Sequence, residues 1–422
     1  MKKKTVVIIE CRSSAAGYIG DIRKYGYEPV LVETAVPEEE RTYNRWLHDK
    51  YYSYSESGPA EIVEIGKDYA DALARIAALE PEAILPGSDE GVELAARLSA
   101  DLGLKGNDPK NLPQMRDKEL MQEALKNAGL RYIRGRKIST VKEALDFRKE
   151  TGVGKVVIKP ASGEASIGVC ICDNDEEIRK AIELNQNLHL NGNGFLIQEF
   201  IDGQEYIVDM VSCGGKQYPT IAFNYSKTEI PGAGKAYNLM DCAWSGAPEF
   251  KSIVDYAKKA TQAIGYAYGA SHSEYMVDKD GPVLIEINCR VCGALLRGSF
   301  LDQIFGYHET EVSLRSVLYE DSFDSYMKGL PDHLLNRGCV RFLVFDRDRF
   351  VKRSRLQELK ERLHTFKYEI TIGENMLYKR TIDLSTAAGM IYLAGDEEAV
   401  KKDLEIIDDL EKNHLDELFS FS

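Results

Sequence analysis

The sequence predicts a protein of the α/β and α+β classes: a doubly wound parallel sheet first, an α+β lobe in the middle and a β-rich lobe last. Two patterns indicate this order. Over roughly the first hundred residues, apolar strand-like runs alternate with amphipathic helical segments, as in a parallel sheet covered by helices on both faces. Later, β-segments follow one another with few helices between them. A chain of 422 residues has room for roughly two to four domains.

The N-terminal elements follow in order. TVVIIE predicts a strand, AAGYIGDIRKYG a helix that ends at Gly26, and EPVLVE the next strand. EIGKDYADALARIAALE has helical periodicity, EAILPGS predicts a strand and turn, and DEGVELAARLSADLG predicts another helix. No G-x-G-x-x-G motif follows the first strand, so the dinucleotide-binding fingerprint is lacking. We expect residues 1–112 to form an N-terminal α/β domain.

A change of pattern near residue 112 predicts a domain boundary. GNDPKNLPQMRDK is rich in Pro and Asn, and a helix, RDKELMQEALKNAGLR, follows it. The strands KVVIKP and VCICD then flank a small-residue loop, ASGEASIG, and β-segments dominate from FLIQEF onward. DEEAVKKDLEIIDDLEKN predicts a closing helix. We therefore expect three further units: a central lobe over 113–195, a second lobe over 196–330 and a β-rich module over 331–422.

Composition limits the classes of function. The formal net charge of -14 argues against a general binder of nucleic acid or anionic membranes. No apolar run approaches the ~18 residues that a membrane-spanning helix needs. The first apolar stretch is shorter than the about 7–15 residues of a secretory signal. We expect a cytoplasmic protein whose eight cysteines are reduced thiols.

The stretch LIEINCR carries polar residues at alternate positions of an apolar strand. Glu286, Asn288 and Arg290 should share one face, because successive strand side chains point to opposite faces. Three polar groups in a row on a buried strand are costly unless something polar lies opposite them. The row therefore indicates a polar ligand.

A hairpin is predicted around the turn 279–281, so that residues whose numbers sum to 560 lie opposite each other. Glu274 then lies opposite Glu286, and Met276 opposite Leu284. Two facing carboxylates repel each other, so a cation is needed between them, and all-oxygen ligands favour Mg²⁺ or Mn²⁺. The alternative is a surface hairpin with solvated carboxylates, against which the apolar neighbours argue.

Two other stretches have the composition of nucleotide contacts. Lys159 ends a strand, and the Gly- and Ser-rich segment 161–168 after it could close over phosphates, although it is not a Walker A loop. In FLIQEFIDGQEY, backbone groups of 198–201 could pair with adenine, and Glu205 could accept ribose hydroxyls. The alternatives are a plain hairpin turn, a surface glutamate and, for Lys118, a solvated lysine on a helix.

Taken together and in order, these motifs resemble the ATP-grasp superfamily from about Ala83 to about Gly395. Within it, GASHSEYMVDKDGPVLIEINCRVCGA is most similar to the L-amino acid ligases that make dipeptides, whose signature reads roughly H-T-E and then E-I-N-x-R-x-G-G. The resemblance implies an ATP-grasp fold and an ATP-dependent, ADP-forming ligase. Such an enzyme joins the carboxylate of one amino acid or small carboxylic acid to the amine of another through an acyl phosphate.

The resemblance also implies roles for individual residues. The residues that would contact ATP are Lys118, Lys159, Ser162, Gly163, Ser166, Gln198, Glu199, Phe200, Ile201, Glu205 and Met276. The residues that would bind Mg²⁺, or Mn²⁺ in its place, are Glu274, Glu286 and Asn288. Substrate contacts fall to Glu90, His272, Arg290 and Gly293, with Arg290 as the catalytic residue. The partners implied are small-molecule substrates and, as in many relatives, a second copy in a homodimer.

Two departures and two rival functions remain open. Cys289 and Cys292 stand where proline and glycine are common, and this lone C-x-x-C is either a pair of packing thiols or a redox pair, since no nearby motif supplies two more zinc ligands. One rival is another ATP-grasp chemistry, a carboxylase or a purine-pathway ligase, although no A-M-K-M-like biotinylation motif occurs. The other is a non-catalytic ATP-binding regulatory protein, which would have no need of Arg290.

Overall fold

A computed structural model of the chain describes most of the sequence. The described residues are 4–35, 60–161, 168–187, 194–230, 234–365, 367–370, 375–382 and 386–420. The expected phosphate-loop residues Ser162, Gly163 and Ser166 lie outside these ranges. Within the described ranges, no helix is both long and apolar enough to cross a membrane.

The N-terminal part is a four-stranded parallel sheet. Its strands β1–β4 are Thr5–Ile9, Glu28–Thr34, Glu61–Ile65 and Pro81–Pro86, in the order β3-β2-β1-β4. Alternate side chains of β1 enter two different cores, Val6 and Ile8 one and Val7 and Ile9 the other. Helices α1–α3 are Gly17–Lys24, Tyr69–Ala77 and Gly91–Asp101. Since apolar residues are buried on both faces, the expected doubly wound sheet is confirmed.

Strand β3 was not predicted, and its presence shortens a predicted helix. EIGKDYADALARIAALE was expected to be helical throughout, but Glu64 and Ile65 end β3 and α2 begins only at Tyr69. The Asp68 side chain accepts hydrogen bonds from the amides of Ala70 and Asp71 and so fixes the start of α2. The helical periodicity was right, and the N-cap aspartate marks the true boundary.

The Pro- and Asn-rich connector folds against the rest of the protein. A 3₁₀ turn at Pro109–Asn111 leads into α4, Leu112–Arg116, and α5, Lys118–Asn127. Asp117 caps α5 by accepting from the amides of Glu119 and Leu120. Lys118 therefore occupies the first position of α5, and its side chain lies at the helix entrance.

The central lobe is an antiparallel sheet with two helices. Strands β5–β8 are Gly135–Ile138, Val156–Pro160, Cys170–Cys172 and Phe195–Glu199, in the order β5-β8-β6-β7. Helices α6 and α7 are Val141–Thr151 and Asp175–Asn187. A reciprocal capping box of Thr140 and Glu143 begins α6. Phe147, Ile158 and Ile178 belong to the core of this lobe.

An eight-stranded antiparallel sheet forms the largest layer, in the order β13-β12-β9-β10-β11-β14-β18-β16. In chain order these strands are β9 Gln204–Cys213, β10 Lys216–Ile230, β11 Gly234–Trp244, β12 Gly269–Asp278, β13 Gly281–Asn288, β14 Arg337–Leu343, β16 Lys367–Ile370 and β18 Gly389–Gly395. The sheet continues across residue 330, where a domain boundary was expected, so the last module shares its sheet with the lobe before it.

Helices and a small sheet complete the C-terminal half. Helices α8–α14 are Lys251–Ala263, Gly298–Phe305, Glu309–Leu318, Glu320–Lys328, Arg353–Arg362, Glu397–Asp409 and Leu415–Leu418. A three-stranded sheet joins β15, β17 and β19, which are Arg349–Val351, Met376–Tyr378 and Phe419–Ser420. Apolar side chains of α8 belong to one core of the large sheet, and those of α9–α11 to the other. The polar hairpin β12–β13 lies at the edge of this sheet.

Candidate active site

The β12–β13 hairpin has the predicted register in its polar half. Glu274 pairs with Glu286, and His272 with Asn288. The side chains of Ile287 and Cys289 are buried in the core beneath, while Glu286, Asn288 and Arg290 are only partly buried. The alternation expected from LIEINCR is therefore present, and its polar row lies on the face away from that core.

Nearer the turn, one predicted pair is wrong. The register shifts between Glu274 and Tyr275, so Met276 pairs with Val283 and Leu284 pairs with Tyr275. Leu284 and Tyr275 lie together in the core, so Leu284 does not share a face with Met276. The extra residue is a β-bulge, which bends a strand and re-aims its side chains and is common beside active sites. The turn is also one residue shorter than the expected 279–281, because Gly281 pairs with Asp278, and the extra residue lies in β13 instead.

Two lysines from different elements converge on this hairpin. Lys118 Nζ lies 3.1 Å from Glu286 Oε2. Lys159 ends β6 and is 9% exposed; burial lowers its pKa to about 8, although the charges of Glu286 and Glu274 oppose that decrease. The structure thus brings the two predicted phosphate-contacting lysines beside the predicted metal ligands.

The carboxylates themselves are crowded. Burial raises the pKa of Glu274, and the nearby charges of Glu205 and Glu286 raise it further. A bound cation would remove this repulsion. Glu274, Glu286 and Asn288 offer oxygen donors alone, the donor set that Mg²⁺ and Mn²⁺ prefer, so these residues fit the implied ion.

The predicted adenine segment is held by the central lobe. The Glu199 carboxylate accepts from Arg134 Nε at 2.8 Å and from Arg134 Nη2 at 2.6 Å. The amides of Glu199 and Phe200 donate to the carbonyls of Arg134 and Lys155, and Ile201 follows directly. Gln198 is buried. The sequence did not indicate Arg134, because its partner lies on a strand more than sixty residues later.

Glu205, the predicted ribose contact, is also engaged. Its Oε2 lies 2.5 Å from Lys227 Nζ, and its Oε1 accepts from the Tyr237 hydroxyl at 3.0 Å. Met276 is its cross-strand neighbour on β12. A carboxylate accepts about four hydrogen bonds, so Glu205 retains capacity for ribose hydroxyls. Lys227 and Tyr237 come from β10 and β11 and were not predicted.

Arg290 is held in place by Asp89, which was not predicted from the sequence. Its Nε and Nη2 donate to Asp89 Oδ2 at 3.0 and 2.8 Å. The predicted residue, Glu90, instead accepts a hydrogen bond from the Ser88 hydroxyl. Asp89 lies just after β4, at the carboxyl end of a parallel strand, where α/β sheets commonly bind ligands. That position was the signal that could have indicated Asp89.

His272 is a satisfied buried histidine. It is 6% exposed, and its Nδ1 lies 2.8 Å from Asp209 Oδ1. Burial and, to a smaller extent, the charge of Arg290 lower its pKa to about 4, so the imidazole is neutral at physiological pH. Asp209 was not predicted, although one aspartate inside the apolar run IVDMV was a signal. A substrate contact by His272 stays a prediction.

The two cysteines of C-R-V-C do not lie together. Cys289 is buried in the core that includes Tyr275 and Leu284, and Cys292 is buried in the separate core that includes Phe300. Burial raises the pKa of both thiols, so neither has the thiolate character of a redox cysteine. The redox alternative is therefore not supported.

A cavity of about 300 Å³ opens between the loop after β1, helix α1 and the segment 295–299. The Gly293 carbonyl accepts from the Ser14 hydroxyl at 2.6 Å. Ser13, Ala294 and Leu295 have left-handed backbones, with φ of 51°, 57° and 52°. Non-glycine residues held in this conformation are strained, and such strain is concentrated at functional sites.

Comparison with known proteins agrees with this arrangement. Residues 115–294 match the model of the ATP-grasp domain. Dapdiamide A synthase of Enterobacter agglomerans is 24% identical over an alignment of 419 residues that covers 95% of this chain and 94% of that protein. The alanine–anticapsin ligase of Bacillus subtilis is 23% identical over 315 residues, 69% of this chain and 62% of that one.

A solved structure shares the fold of this chain. The crystal structure of an L-amino acid ligase from Bacillus licheniformis superposes with a TM-score of 0.73 and 16% identity, over 97% of this chain and 98% of that one. The predicted fold class is thus confirmed. Residues 115–294 of the chain are an ATP-grasp domain, and the chain is an enzyme of the ADP-forming carboxylate–amine ligase type.

Proposed function

We propose that this enzyme joins the carboxylate of an amino acid, or of a small carboxylic acid, to the amine of a second amino acid. One observation carries the proposal: Arg290, fixed by Asp89, continues the polar row that contains Glu286 and Asn288. A nucleotide-binding module needs cations for phosphates, which Lys118 and Lys159 already supply. A guanidinium placed beyond them is suited to charge that develops on a reacting carboxyl group.

The relatives support an amide-forming reaction. Two of them are named a dapdiamide synthase and an alanine–anticapsin ligase, and the superposed structure is an L-amino acid ligase. These names favour a carboxylate–amine ligation over the carboxylase and purine-pathway alternatives. The dapdiamide synthase matches along nearly the whole length of both chains.

In the proposed reaction, an oxygen of the donor carboxylate attacks the γ-phosphorus of ATP, and the bond to ADP breaks. The acceptor amine then attacks the acyl carbon, inorganic phosphate leaves, and the amine loses a proton. Lys118 and Lys159 bind phosphate oxygens, and Arg290 stabilises the oxyanion of the tetrahedral intermediate. Glu274, Glu286 and Asn288 would hold Mg²⁺, which when bound neutralises charge on the triphosphate.

As part of the proposal, we assign the acceptor to the cavity that Ser13 and Ser14 line. Its volume of about 300 Å³ is at the lower end of the range for small-molecule sites, about 300–1,000 Å³. Its walls come from the N-terminal domain, through Ser13 and Ser14, and from the segment after Arg290. The Gly293 carbonyl, three residues after Arg290, accepts a hydrogen bond from Ser14 of this lining, and this contact makes the cavity a candidate site for the amine.

The pKa of Lys159 predicts a pH effect on nucleotide binding. In the free protein this lysine loses its proton near pH 8, whereas bound phosphate favours the charged form. ATP affinity should therefore fall by roughly tenfold per pH unit above about 8. In Lys159→Arg the side chain stays charged, so affinity should be nearly constant over that range. Calorimetric titration with ATP measures both, and identical pH profiles for the two proteins would refute the assignment.

Asp89 is predicted to act by positioning Arg290. Asp89→Asn keeps the shape of the side chain but removes the charge that the guanidinium contacts. We expect turnover to fall by about 10- to 100-fold, as for other groups that orient a reactive residue, with the KM for ATP unchanged. Asp101→Asn, which alters an exposed carboxylate bonded to Tyr69, serves as the control. An Asp89→Asn enzyme as fast as the control would remove this role.

The proposed function is tested by measuring ATP-dependent phosphate release across pairs of amino acids and small carboxylates, with product masses read in parallel. Release with a particular pair, and a product mass equal to their sum minus water, is the expected result. Release that depends on bicarbonate instead would favour a carboxylase. ATP binding without phosphate release for any acceptor would favour a regulatory protein.

A further inference from the structure

Three side chains of the kinds that bind metals meet in the interior, near the Arg290 end of the polar row. Asp209 comes from β9, His272 from β12 and Cys292 from the segment after β13. One ligand atom from each lies within 4.8 Å of the other two. Their exposures are 0%, 6% and 2%, so the group is shielded from bulk water.

The polar atoms around this group are not all satisfied. Asp209 Oδ2 makes no hydrogen bond within the described part of the chain, and neither does Oε1 of the adjacent Glu309. Glu309 is 3% exposed, and its other oxygen accepts from the Cys292 amide at 2.9 Å. The nearest cation, Arg290, is already bonded to Asp89. Buried oxygens without partners are costly, so the interior here favours a ligand that these oxygens can bind.

We propose that Asp209, His272 and Cys292 bind one transition-metal ion of the zinc class. Mixed sulfur, nitrogen and oxygen donors suit Zn²⁺, whereas Mg²⁺ takes oxygen donors alone. In a tetrahedral zinc site the ligand atoms lie about 3.3–3.8 Å apart, a spacing that ligand atoms within 4.8 Å of one another can reach by small side-chain shifts. Water or Glu309 Oε1 completes the tetrahedron. The Cys292 thiol gives up its proton to solvent on binding.

A metal ion at this site would stabilise the segment that carries Arg290. Its ligands connect two neighbouring strands of the large sheet to the segment that carries Arg290. A metal ion would fix that segment against β9 and β12 from the interior, while Asp89 fixes the guanidinium from the N-terminal domain. Cys292 stands where glycine is common in the dipeptide-forming ligases, so this site belongs to this chain and is not implied by the resemblance.

Cobalt provides the test, because a cysteine thiolate bound to Co²⁺ gives a charge-transfer absorption that oxygen ligands do not. Metal-depleted full-length protein is titrated with Co²⁺ in the presence of excess Mg²⁺, which occupies the carboxylate site. We expect the absorption to saturate at one Co²⁺ per chain and to disappear when Zn²⁺ is added. Cys292→Ser should lack it, and Cys289→Ser, a buried neighbour in the other core, should retain it.

Three results would overturn the proposal: folded wild-type protein that gives no thiolate absorption, an absorption that persists in Cys292→Ser, or its loss in Cys289→Ser alone. Asp209→Asn is the second variant, in case Cys292→Ser does not fold. It keeps the thiol and should bind Co²⁺ at least about tenfold more weakly. Circular dichroism verifies folding for each protein, and no readout depends on ligase activity.

Discussion

Replacement of Arg290 by alanine should reduce the turnover of ligation by about 100- to 1,000-fold, the loss that follows removal of one oxyanion donor, and leave ATP affinity close to that of the wild type. The reason is positional. Arg290 lies beyond Glu286 and Asn288 in the polar row and is held by Asp89, whereas the predicted phosphate contacts are Lys118 and Lys159. Single-turnover kinetics and ATP titration measure the two quantities separately.

The matched controls for Arg290→Ala are a conservative change and a distant one. Arg290→Lys keeps a positive charge but cannot reproduce the two-pronged contact with Asp89, so it should recover only a small part of the activity. Arg136→Ala alters an exposed arginine of the central lobe that pairs with Glu150 and should be nearly silent. Ligation by Arg290→Ala within about tenfold of wild type would refute the catalytic role, since a single oxyanion donor is worth more than that.

Glu286→Gln is the second change with a large expected effect. We expect turnover at saturating Mg²⁺ to fall by about 100-fold, and the Mg²⁺ concentration for half-maximal activity to rise at least about tenfold. Glutamine preserves the shape of the residue but removes one of two facing carboxylates, and with it the partner of Lys118. Activity measured over a Mg²⁺ series at fixed ATP gives both values.

The control for Glu286→Gln is the same change at an exposed position of the same sheet. Glu229 lies on β10 and is exposed, so Glu229→Gln should show the wild-type Mg²⁺ dependence. If Glu286→Gln shows that dependence too, Glu286 is not a metal ligand. Lower turnover with unchanged Mg²⁺ dependence would instead assign Glu286 to the positioning of Lys118.

The polar row could be predicted because it depends on local rules. Strand alternation places Glu286, Asn288 and Arg290 on one face whatever the rest of the fold is. Glu274 lies opposite Glu286 as expected, because a turn one residue shorter than expected and the bulge in β13 offset each other. The ordered set of motifs then predicted the ATP-grasp fold, which the comparisons confirm. These features need only neighbours in the chain or a single hairpin.

The residues that hold the row in place could not be predicted in the same way. Asp89 and Arg290 are separated by 201 positions, and Asp209 and His272 by 63. Alternation shows which face a side chain occupies but not which distant strand lies next to it. The bulge in β13 was missed for a related reason: one extra residue costs little and leaves no clear mark on composition, yet it re-pairs Met276 and Leu284.

The most direct test of the central claim follows a heavy oxygen isotope through one turnover. A donor acid labelled in its carboxylate is incubated with the enzyme, ATP and the acceptor amine of the pair that gives phosphate release. The masses of the phosphate and of the product are then measured. If the donor carboxylate attacks ATP, one labelled oxygen appears in inorganic phosphate and one remains in the amide. Phosphate without label would mean that ATP is cleaved by water and that no acyl phosphate forms, which contradicts the ligase mechanism.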